Sequence, residues 1–207
     1  MRRTIRAVVF DLDGTLSKPG AIDFARLRRR LQIPASSDIL SWAKQQPHAS
    51  ELLGIIAEEE ELGLANLQRM DGLEELFLHL RSRAPLLRTG ILTRNSESVM
   101  HRSLHTLGFH SPSVAQEGAA PPLHTFDMLL SREWGPPKPH PAALLHMAAS
   151  WGVEPFEMIM IGDSGDDTLA AKAAGAIAIS IGDDAEAQQH AHHRIPNDLK
   201  HLIPLLD

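Results

Sequence analysis

The pattern of hydrophobic and polar positions changes twice along the chain. Residues 7–10 form a short continuous apolar run, which predicts a buried strand. From about residue 16 to residue 85, apolar residues recur at helical spacing and predict a series of amphipathic helices. From residue 86 onward, short apolar runs alternate with helical stretches. Such alternation is typical of a parallel sheet with helices on both faces.

The first helical region contains four predicted helices. Asp71 is expected to cap the fourth of them, and the acidic run Glu58–Glu61 in the third is interpreted as a solvated helix face. A serine, Ser36 or Ser37, is expected to cap the second. The helices are predicted around residues 24–31, ending near Pro34, around 39–42, over about 50–70, and from 72 to before Pro85.

The remainder of the chain supplies the other strands. Residues 109–123 are rich in Pro, Ala, Gly and Ser and predict a loop. Strands are predicted within 86–93 and at 126–130, 158–161 and 176–181, with a weaker one around 194–195. Helices are predicted from a cap at Asn95 or Ser96 to Gly108, over 139–151 and 166–174, and from Asn197 onward.

Composition limits the class of protein. The 207 residues suit one domain of moderate size, or a core with a smaller inserted domain. Hydrophobic residues make up 43%, but aromatic residues only 4%, so aliphatic side chains must fill the core. A net charge of -6 argues against a nucleic-acid partner. Because the chain has no cysteine, disulfides and thiolate metal sites are excluded.

No targeting or membrane segment is expected. The apolar run after Arg6 is too short for the hydrophobic region of a signal peptide. The longest uncharged stretch of small and apolar residues, 173–182, is too short to span a membrane. We therefore predict a soluble protein of the cytoplasm, with no membrane partner.

Two carboxylates follow the first predicted strand directly. Residues two apart in extended backbone point the same way, so Asp11 and Asp13 can both face one cleft. Such a pair can take two chemical roles, because one acid stays ionised as a nucleophile or metal ligand while its neighbour holds a proton to donate. Gly14 then permits a sharp exit from the strand. An ordinary strand end closed by an Asp-Gly turn is the alternative interpretation of this short pattern.

Other polar residues follow the later strands. Ligands of open parallel sheets bind outside the carboxyl ends of the strands. The polar residues predicted at those ends are Thr93 with Arg94 and Asn95, Asp163 with Asp166 and Asp167, and Lys138 within a proline-rich turn. Carboxylates suit Mg²⁺, and a hydroxyl and an ammonium group suit phosphate oxygens. Together they predict a magnesium-dependent phosphate site.

This ordered set resembles the haloacid dehalogenase superfamily, and in particular its phosphatases, over nearly the whole chain. Four sequence motifs carry the resemblance. They are Asp11-Leu12-Asp13-Gly14-Thr15, Ile91-Leu92-Thr93, Lys138 in its proline-rich turn, and Gly162-Asp163-Ser164 with Asp167. Two segments are similar to the phosphoglycolate phosphatase-like branch, namely Met70-Asp71-Gly72-Leu73-Glu74-Glu75-Leu76 and Ile91-Leu92-Thr93-Arg94-Asn95.

The resemblance implies a role for each of these residues. Asp11 would be the nucleophile that forms an aspartyl-phosphate, and Asp13 the acid and base. Thr93, Arg94 and Lys138 would hold the phosphoryl group. The implied Mg²⁺ ligands are Asp11, the backbone carbonyl of Asp13, and Asp163, with Asp167 as a further ligand or a supporting residue.

The resemblance also implies a Rossmann-like α/β core and an inserted small α-helical cap. The core would comprise residues 1–15 and 86–207, and the cap residues 16–85. Caps close over the site and choose the substrate. Basic residues of the cap, Lys18, Arg26, Arg28 and Arg30, either contact an anionic group of the substrate or form a solvated face.

Hydrolysis of a small phosphometabolite is the leading functional hypothesis. A sugar-phosphate mutase of the same superfamily is the nearer alternative, because it also needs Asp13. A phospho-accepting regulatory module is the alternative from a different class. A dehalogenase is disfavoured, since cleavage of a carbon–halogen bond has no use for Asp13 as an acid. The identity of the substrate stays open.

Overall fold

A computed structural model describes residues 4–34, 37, 39–83, 86–109 and 123–206. Within these residues the chain forms a six-stranded sheet in the order β3-β2-β1-β4-β5-β6, and every neighbouring pair is parallel. This confirms the predicted α/β class. The strands are β1 (Ala7–Phe10), β2 (Arg88–Leu92), β3 (Met128–Leu130), β4 (Met158–Gly162), β5 (Ile177–Ile181) and β6 (His193–Ile195).

Strand β1 lies at the centre of the sheet. All four of its residues are buried, as the continuous apolar run predicts. Phe10 pairs with Ile91 of β2 on one side and with Ile161 of β4 on the other. The carboxyl ends of these three strands therefore reach the same edge of the sheet, where the polar residues follow.

Helices cover both faces of the sheet. One face packs Val8 and Phe10 against α4 and α5, and the other packs Ala7 and Val9 against α6 and α7. The helices that accompany the sheet are α4 (Leu73–Ser82), α5 (Glu97–Thr106), α6 (Ala142–Trp151), α7 (Gly165–Ala174), α8 (Ala185–His190) and α9 (Ile203–Leu206), with 3₁₀ turns at Pro155–Glu157 and Leu199–Leu202.

Three further helices form a separate hydrophobic cluster. They are α1 (Phe24–Leu31), α2 (Ile39–Lys44) and α3 (Ala49–Ala65). Their buried apolar residues are Leu27, Leu31, Ile33, Ala43, Leu52 and Ile56. The described part of the chain contains no helix that is long and apolar enough to cross a membrane.

Two short segments join this helical cluster to the sheet, and we call residues 16–18 and 68–70 the connector pair. Ser17 and Arg69 form an antiparallel bridge. The Lys18 N–H donates to the Gln68 carbonyl at 2.8 Å, and the Met70 N–H donates to the Leu16 carbonyl at 2.9 Å. The chain therefore enters and leaves the cluster at one place.

The connector pair also explains two wrong predictions. Helix α3 ends at Ala65 rather than near residue 70, because the residues before Met70 bond to the incoming segment. Asp71 does not cap α4. The cap is Gly72, whose φ of 72° is left-handed, and a Cβ there would lie 2.2 Å from Asp198 Oδ1.

Helix α4 packs on the sheet and not on the helical cluster. Leu73, Leu76, Phe77 and Leu80 are buried in the same core as Phe10. The predicted boundary between cap and core at residue 85 therefore does not match the structure, in which α4 packs with the core. We propose that the cap covers residues 19–67, between the two halves of the connector pair.

The interpretation of the acidic run as a solvated face is wrong for Glu59 and Glu60. The Glu59 side chain is 2% exposed and accepts hydrogen bonds from Arg26 at 2.5 Å and Arg30 at 3.0 Å. Glu60 is also buried. Burial of these carboxylates is tolerated because each is paired with a guanidinium group. Glu58 and Glu61 keep the expected exposure.

Several element boundaries differ from the sequence predictions. Helix α6 begins at Ala142 rather than Pro139, and β3 begins at Met128 rather than Phe126. Helix α8, capped by Asp184, was not predicted, and a 3₁₀ turn replaces the start of the predicted last helix. Ser96 caps α5 as expected. Residues 110–122 of the predicted loop, and Ser36, lie outside the described residues.

Candidate active site

The residues predicted to act together do meet at the carboxyl edge of the sheet. Asp11 and Asp13 follow β1, Thr93 follows β2, and Asp163 follows β4. Lys138 arrives from the turn between β3 and α6. Asp167 lies in the first turn of α7. The sequence motifs are thus separated along the chain but adjacent in space.

Lys138 is the electrostatic centre of the site. It is 5% exposed, and its Nζ donates to Asp11 Oδ1 at 2.7 Å, to Asp167 Oδ1 at 2.5 Å and to the Leu92 carbonyl at 2.8 Å. Burial opposes its charge, but the charges of Asp11 and Asp167 outweigh this and raise the pKa of Lys138. The ammonium group is therefore fixed beside the predicted nucleophile.

Three carboxylates form a cluster that suits a metal ion. One oxygen from each of Asp11, Asp163 and Asp167 lies within 4.8 Å of the others. Burial raises the pKa of Asp11 well above its ordinary value, although Lys138 lowers it. Burial, followed by repulsion from Asp167, raises the pKa of Asp163 to about 7. A cation in this cluster would offset both effects.

Asp167 is held on both of its oxygens. Its Oδ1 accepts from Lys138, while Oδ2 accepts from the Ser164 N–H at 3.1 Å and the Ser164 hydroxyl at 2.6 Å. The contact with the Ser164 N–H is part of a capping box at the start of α7. Asp167 is therefore placed to position Lys138.

Gly14 makes room for the metal cluster. Its φ of 72° is left-handed, and a Cβ built on it would lie 2.0 Å from Asp163 Oδ2. A side chain at this position would be strained and would displace the Asp163 carboxylate. The glycine thus lets the turn after β1 pass close to the residue that follows β4.

Asn95 contacts Asp13, a role that the sequence interpretation did not assign to it. Its Nδ2 donates to Asp13 Oδ2 at 2.6 Å, and its backbone N–H donates to the Thr93 hydroxyl at 3.1 Å. Burial raises the pKa of Asp13, and the hydrogen bond from Asn95 lowers it. The sequence interpretation named Asn95 as a polar residue after β2 and as a possible helix cap, and its place after β2 was the signal for a role in the site.

Arg94 and Asp166 line the mouth of the site together. Arg94 Nη1 lies 2.5 Å from Asp166 Oδ2. Arg94 was predicted to bind phosphate, whereas the structure pairs it with a carboxylate of α7. Thr93 follows β2 directly, which agrees with the predicted position, and it is buried.

A cavity of about 460 Å³ connects these residues to the cap. Its cap wall is largely aliphatic, formed by Ile22, Leu27, Ile39, Leu40 and Ile56. Glu60 of α3 completes that wall and accepts a hydrogen bond from Arg132 Nη1 at 2.7 Å. Arg132 follows β3, and its backbone N–H donates to the Asn95 carbonyl at 3.0 Å. This ion pair thus joins the cap to the sheet beside the site.

Comparison with known proteins finds relatives that match most of the chain. A family model described as haloacid dehalogenase-like hydrolase matches residues 5–175. A haloacid dehalogenase-like hydrolase domain-containing protein of Arabidopsis thaliana is 34% identical over 192 residues, which cover 83% of this chain and 69% of that protein. A phosphoglycolate phosphatase of Salmonella paratyphi A is 27% identical over 210 residues, which cover 86% of this chain and 82% of that phosphatase.

Solved structures share the fold. A predicted phosphoglycolate phosphatase from Haemophilus somnus has a TM-score of 0.71 at 16% identity, with 98% of each chain covered. A hydrolase of the same family from Deinococcus radiodurans, with bound phosphate and sodium, has a TM-score of 0.66 at 18% identity, covering 99% of this chain and 96% of that one. At these identities the likeness concerns the fold alone.

Proposed function

The chain belongs to the haloacid dehalogenase-like hydrolase family, and we propose that it is a Mg²⁺-dependent phosphomonoesterase. In this proposal it hydrolyses a small phosphometabolite through an aspartyl-phosphate on Asp11, in the manner of the phosphoglycolate phosphatase-like branch. The observation that carries the proposal is Lys138, whose Nζ bridges Asp11 and Asp167 beside Asp13 at the sheet edge.

The first chemical step transfers the phosphoryl group to the protein. A carboxylate oxygen of Asp11 forms a bond to phosphorus while the bond from phosphorus to the alcohol oxygen breaks. Asp13 gives its proton to the departing oxygen, so the product leaves as a neutral alcohol. Burial raises the pKa of Asp13, which favours the protonated form needed at this point.

The second step returns Asp11 to its starting form. Asp13, now ionised, takes a proton from a water molecule, whose oxygen bonds to phosphorus as the bond to Asp11 breaks. Inorganic phosphate leaves, and Asp13 is again protonated. Asn95 fixes the Asp13 carboxyl group in both steps through its 2.6 Å hydrogen bond. Lys138 and the Thr93 hydroxyl would hold the phosphoryl oxygens.

The carboxylate cluster fits a hard divalent cation. Its donors are oxygens, and burial together with neighbouring carboxylates raises the pKa of Asp11 and Asp163, so a bound cation would stabilise their charged forms. Asp11, Asp163 and the backbone carbonyl of Asp13 would hold Mg²⁺, and Asp167 would support them. When bound, Mg²⁺ reduces the repulsion between an anionic nucleophile and an anionic phosphoryl group.

Phosphate release is the test of this function. The wild-type protein is incubated with phosphoglycolate, sugar phosphates and p-nitrophenyl phosphate, with Mg²⁺ and with EDTA. We expect release that requires Mg²⁺ and is lost in Asp11→Asn, with the folded state of the variant verified by an unchanged melting temperature. Return of phosphate to a sugar would identify a mutase. Stable phosphorylation of Asp11 without release would identify a regulatory module.

A further inference from the structure

Helix α3 of the cap is joined to the sheet domain by two ion pairs on adjacent residues. Glu60 accepts from Arg132 Nη1 at 2.7 Å, and Glu61 pairs with Arg102 of α5. The two pairs differ in their surroundings. Glu60 is buried and lines the cavity, whereas Glu61 and Arg102 are exposed and lie outside its described lining. Glu60 is thus a buried carboxylate beside the site that neither chemical step uses.

Arg132 connects this carboxylate to the segment that follows β2. Its backbone N–H donates to the Asn95 carbonyl at 3.0 Å. Its neighbour Glu133 holds the same segment, because Glu133 Oε2 accepts from the Glu97 N–H at 3.0 Å. Glu133 Oε1 also lies 3.4 Å from Arg132 Nε. The turn after β3 therefore supports the residues after β2 at two places, and its arginine is held between two carboxylates.

Asn95 in turn holds the predicted acid and base. Its Nδ2 donates to Asp13 Oδ2 at 2.6 Å, and its backbone N–H donates to the Thr93 hydroxyl at 3.1 Å. Asn95 is buried, so water competes little for these contacts. A continuous path of polar contacts thus runs from the cap to Asp13, through Glu60, Arg132 and Asn95.

The position of Asp13 is the quantity that this path controls. Proton transfer requires the acid to lie within hydrogen-bond reach of the departing oxygen. A misplacement of about 1 Å can lower a rate by about 10²-fold, even when its cause lies away from the reacting atoms. Arg132 lies in a turn rather than in a strand or helix, so its side-chain partners help to decide where its backbone N–H meets Asn95.

We propose that Glu60 and Arg132 are positioning residues for Asp13 and that they act through Asn95. The cap then contributes to proton transfer as well as to the shape of the cavity. This inference rests on the proposed phosphatase function and deepens it. Neither residue has to touch the substrate, and the chemical steps stay with Asp11 and Asp13.

The test uses the leaving group to separate proton transfer from the other events. An alkyl phosphate needs a proton from Asp13 as its alcohol departs, whereas p-nitrophenolate leaves without one because its charge is spread over the ring. The alkyl substrate is phosphoglycolate or the sugar phosphate that the wild type hydrolyses fastest. Values of kcat and KM are measured for both substrates in Mg²⁺. Because the alcohol leaves in the first step, kcat/KM reports that step alone.

The proteins are the wild type, Arg132→Met, Arg132→Lys, Glu60→Gln, the reference Asp13→Asn and the control Glu61→Gln. Arg132→Met removes the donors to Glu60, and Arg132→Lys keeps a positive charge that can pair with it. Glu61→Gln removes the other ion pair between α3 and the sheet domain, so it weakens the attachment of the cap without acting on Arg132. The ratio of the two kcat/KM values does not depend on the folded fraction, so it stays valid for a destabilised variant.

We expect Arg132→Met to lower kcat/KM for the alkyl phosphate by about 10- to 100-fold, through kcat, and to change that for p-nitrophenyl phosphate by less than about threefold. Asp13→Asn should show the same dependence on the leaving group with a larger loss. Glu60→Gln should lose less than Arg132→Met, because its amide oxygen can still accept from Arg132. Arg132→Lys should restore part of the loss, and Glu61→Gln should keep the wild-type ratio.

An equal loss on both substrates in Arg132→Met would overturn the inference, because it would indicate a structural role alone. A loss that appears only in KM would also overturn it, since direct contact with the substrate produces that result. The same change of ratio in Glu61→Gln would overturn it as well. Absence of release from every alkyl phosphate by the wild type would instead reject the proposed function.

In that case a second measurement decides the inference without turnover. The side-chain amide signal of Asn95 is recorded by heteronuclear NMR and identified by its absence in Asn95→Asp. A shift of this signal in Arg132→Met, with none in Glu61→Gln, would support the positioning role. An unchanged signal in Arg132→Met would overturn it.

Discussion

Replacing Arg132 with methionine would leave the Glu60 carboxylate without its guanidinium partner in the wall between the cap and the sheet. Glu60 is 8% exposed and accepts from Arg132 Nη1 at 2.7 Å. Methionine keeps much of the apolar stem of arginine and removes the donors. The variant therefore isolates the cost of an unpaired carboxylate at this position.

The structure sets the expected magnitude. Removing one partner of a fully buried ion pair costs about 3–5 kcal/mol. The Arg132 side chain is 23% exposed, so water can reach part of this pair and we expect about 2 kcal/mol. For a chain of this length, that lowers the melting temperature by about 4–8 °C. Glu60→Gln should cost about 1 kcal/mol, because the freed arginine can turn to water.

The assay is urea unfolding of the two single variants and of the double variant Arg132→Met/Glu60→Gln. The double variant should be more stable than Arg132→Met, because it no longer contains an unpaired carboxylate. A double variant whose loss equals the sum of the two single losses would refute the reasoning. So would an Arg132→Met variant within about 0.5 kcal/mol of the wild type.

The remaining predictions concern the candidate active site. Asp13→Asn should lower the rate of phosphate release by about 10²- to 10⁴-fold while the melting temperature stays unchanged, and an unaltered rate would remove Asp13 as the acid and base. Gly14→Ala and Gly20→Ala should each cost about 1–2 kcal/mol in urea unfolding, because both glycines have left-handed φ values. Gly14→Ala should also raise the Mg²⁺ concentration for half-maximal activity by about tenfold or more, because the added Cβ contacts the Asp163 carboxylate. Gly20→Ala is the control and should not do so, because nothing lies within 4 Å of a Cβ at that position. An equal Mg²⁺ dependence in both variants would contradict this role of Gly14.

Features that depend on a local pattern of residues, such as the strands and the polar residues at their ends, could be predicted from the sequence. The continuous apolar run of β1 and the polar residues after each strand predicted the edge of the sheet at which Asp11, Thr93 and Asp163 meet. Strand period and strand-end chemistry are local properties, and the parallel topology then brings the ends together. Helix α8 could have been predicted as well, because Asp184 is a typical helix cap.

Residues that depend on distant partners were harder to interpret. Glu59 is separated by 33 residues from Arg26, and Glu60 by 72 residues from Arg132. An acidic run carries no information about such partners, so its ordinary interpretation is a solvated face. The contact between Asn95 and Asp13 spans 82 residues and was missed for the same reason.

The connector pair has a consequence for how such a protein can diversify. Since residues 16–18 and 68–70 lie side by side, the whole segment between them is an insertion whose two ends already meet. Insertions and exchanges are tolerated best where the chain ends of the inserted piece are close together. A different cap could therefore be joined at the same two points without changing the order of the strands. In the proposed function, substrate choice and phosphoryl chemistry would thus occupy separately exchangeable parts of one chain.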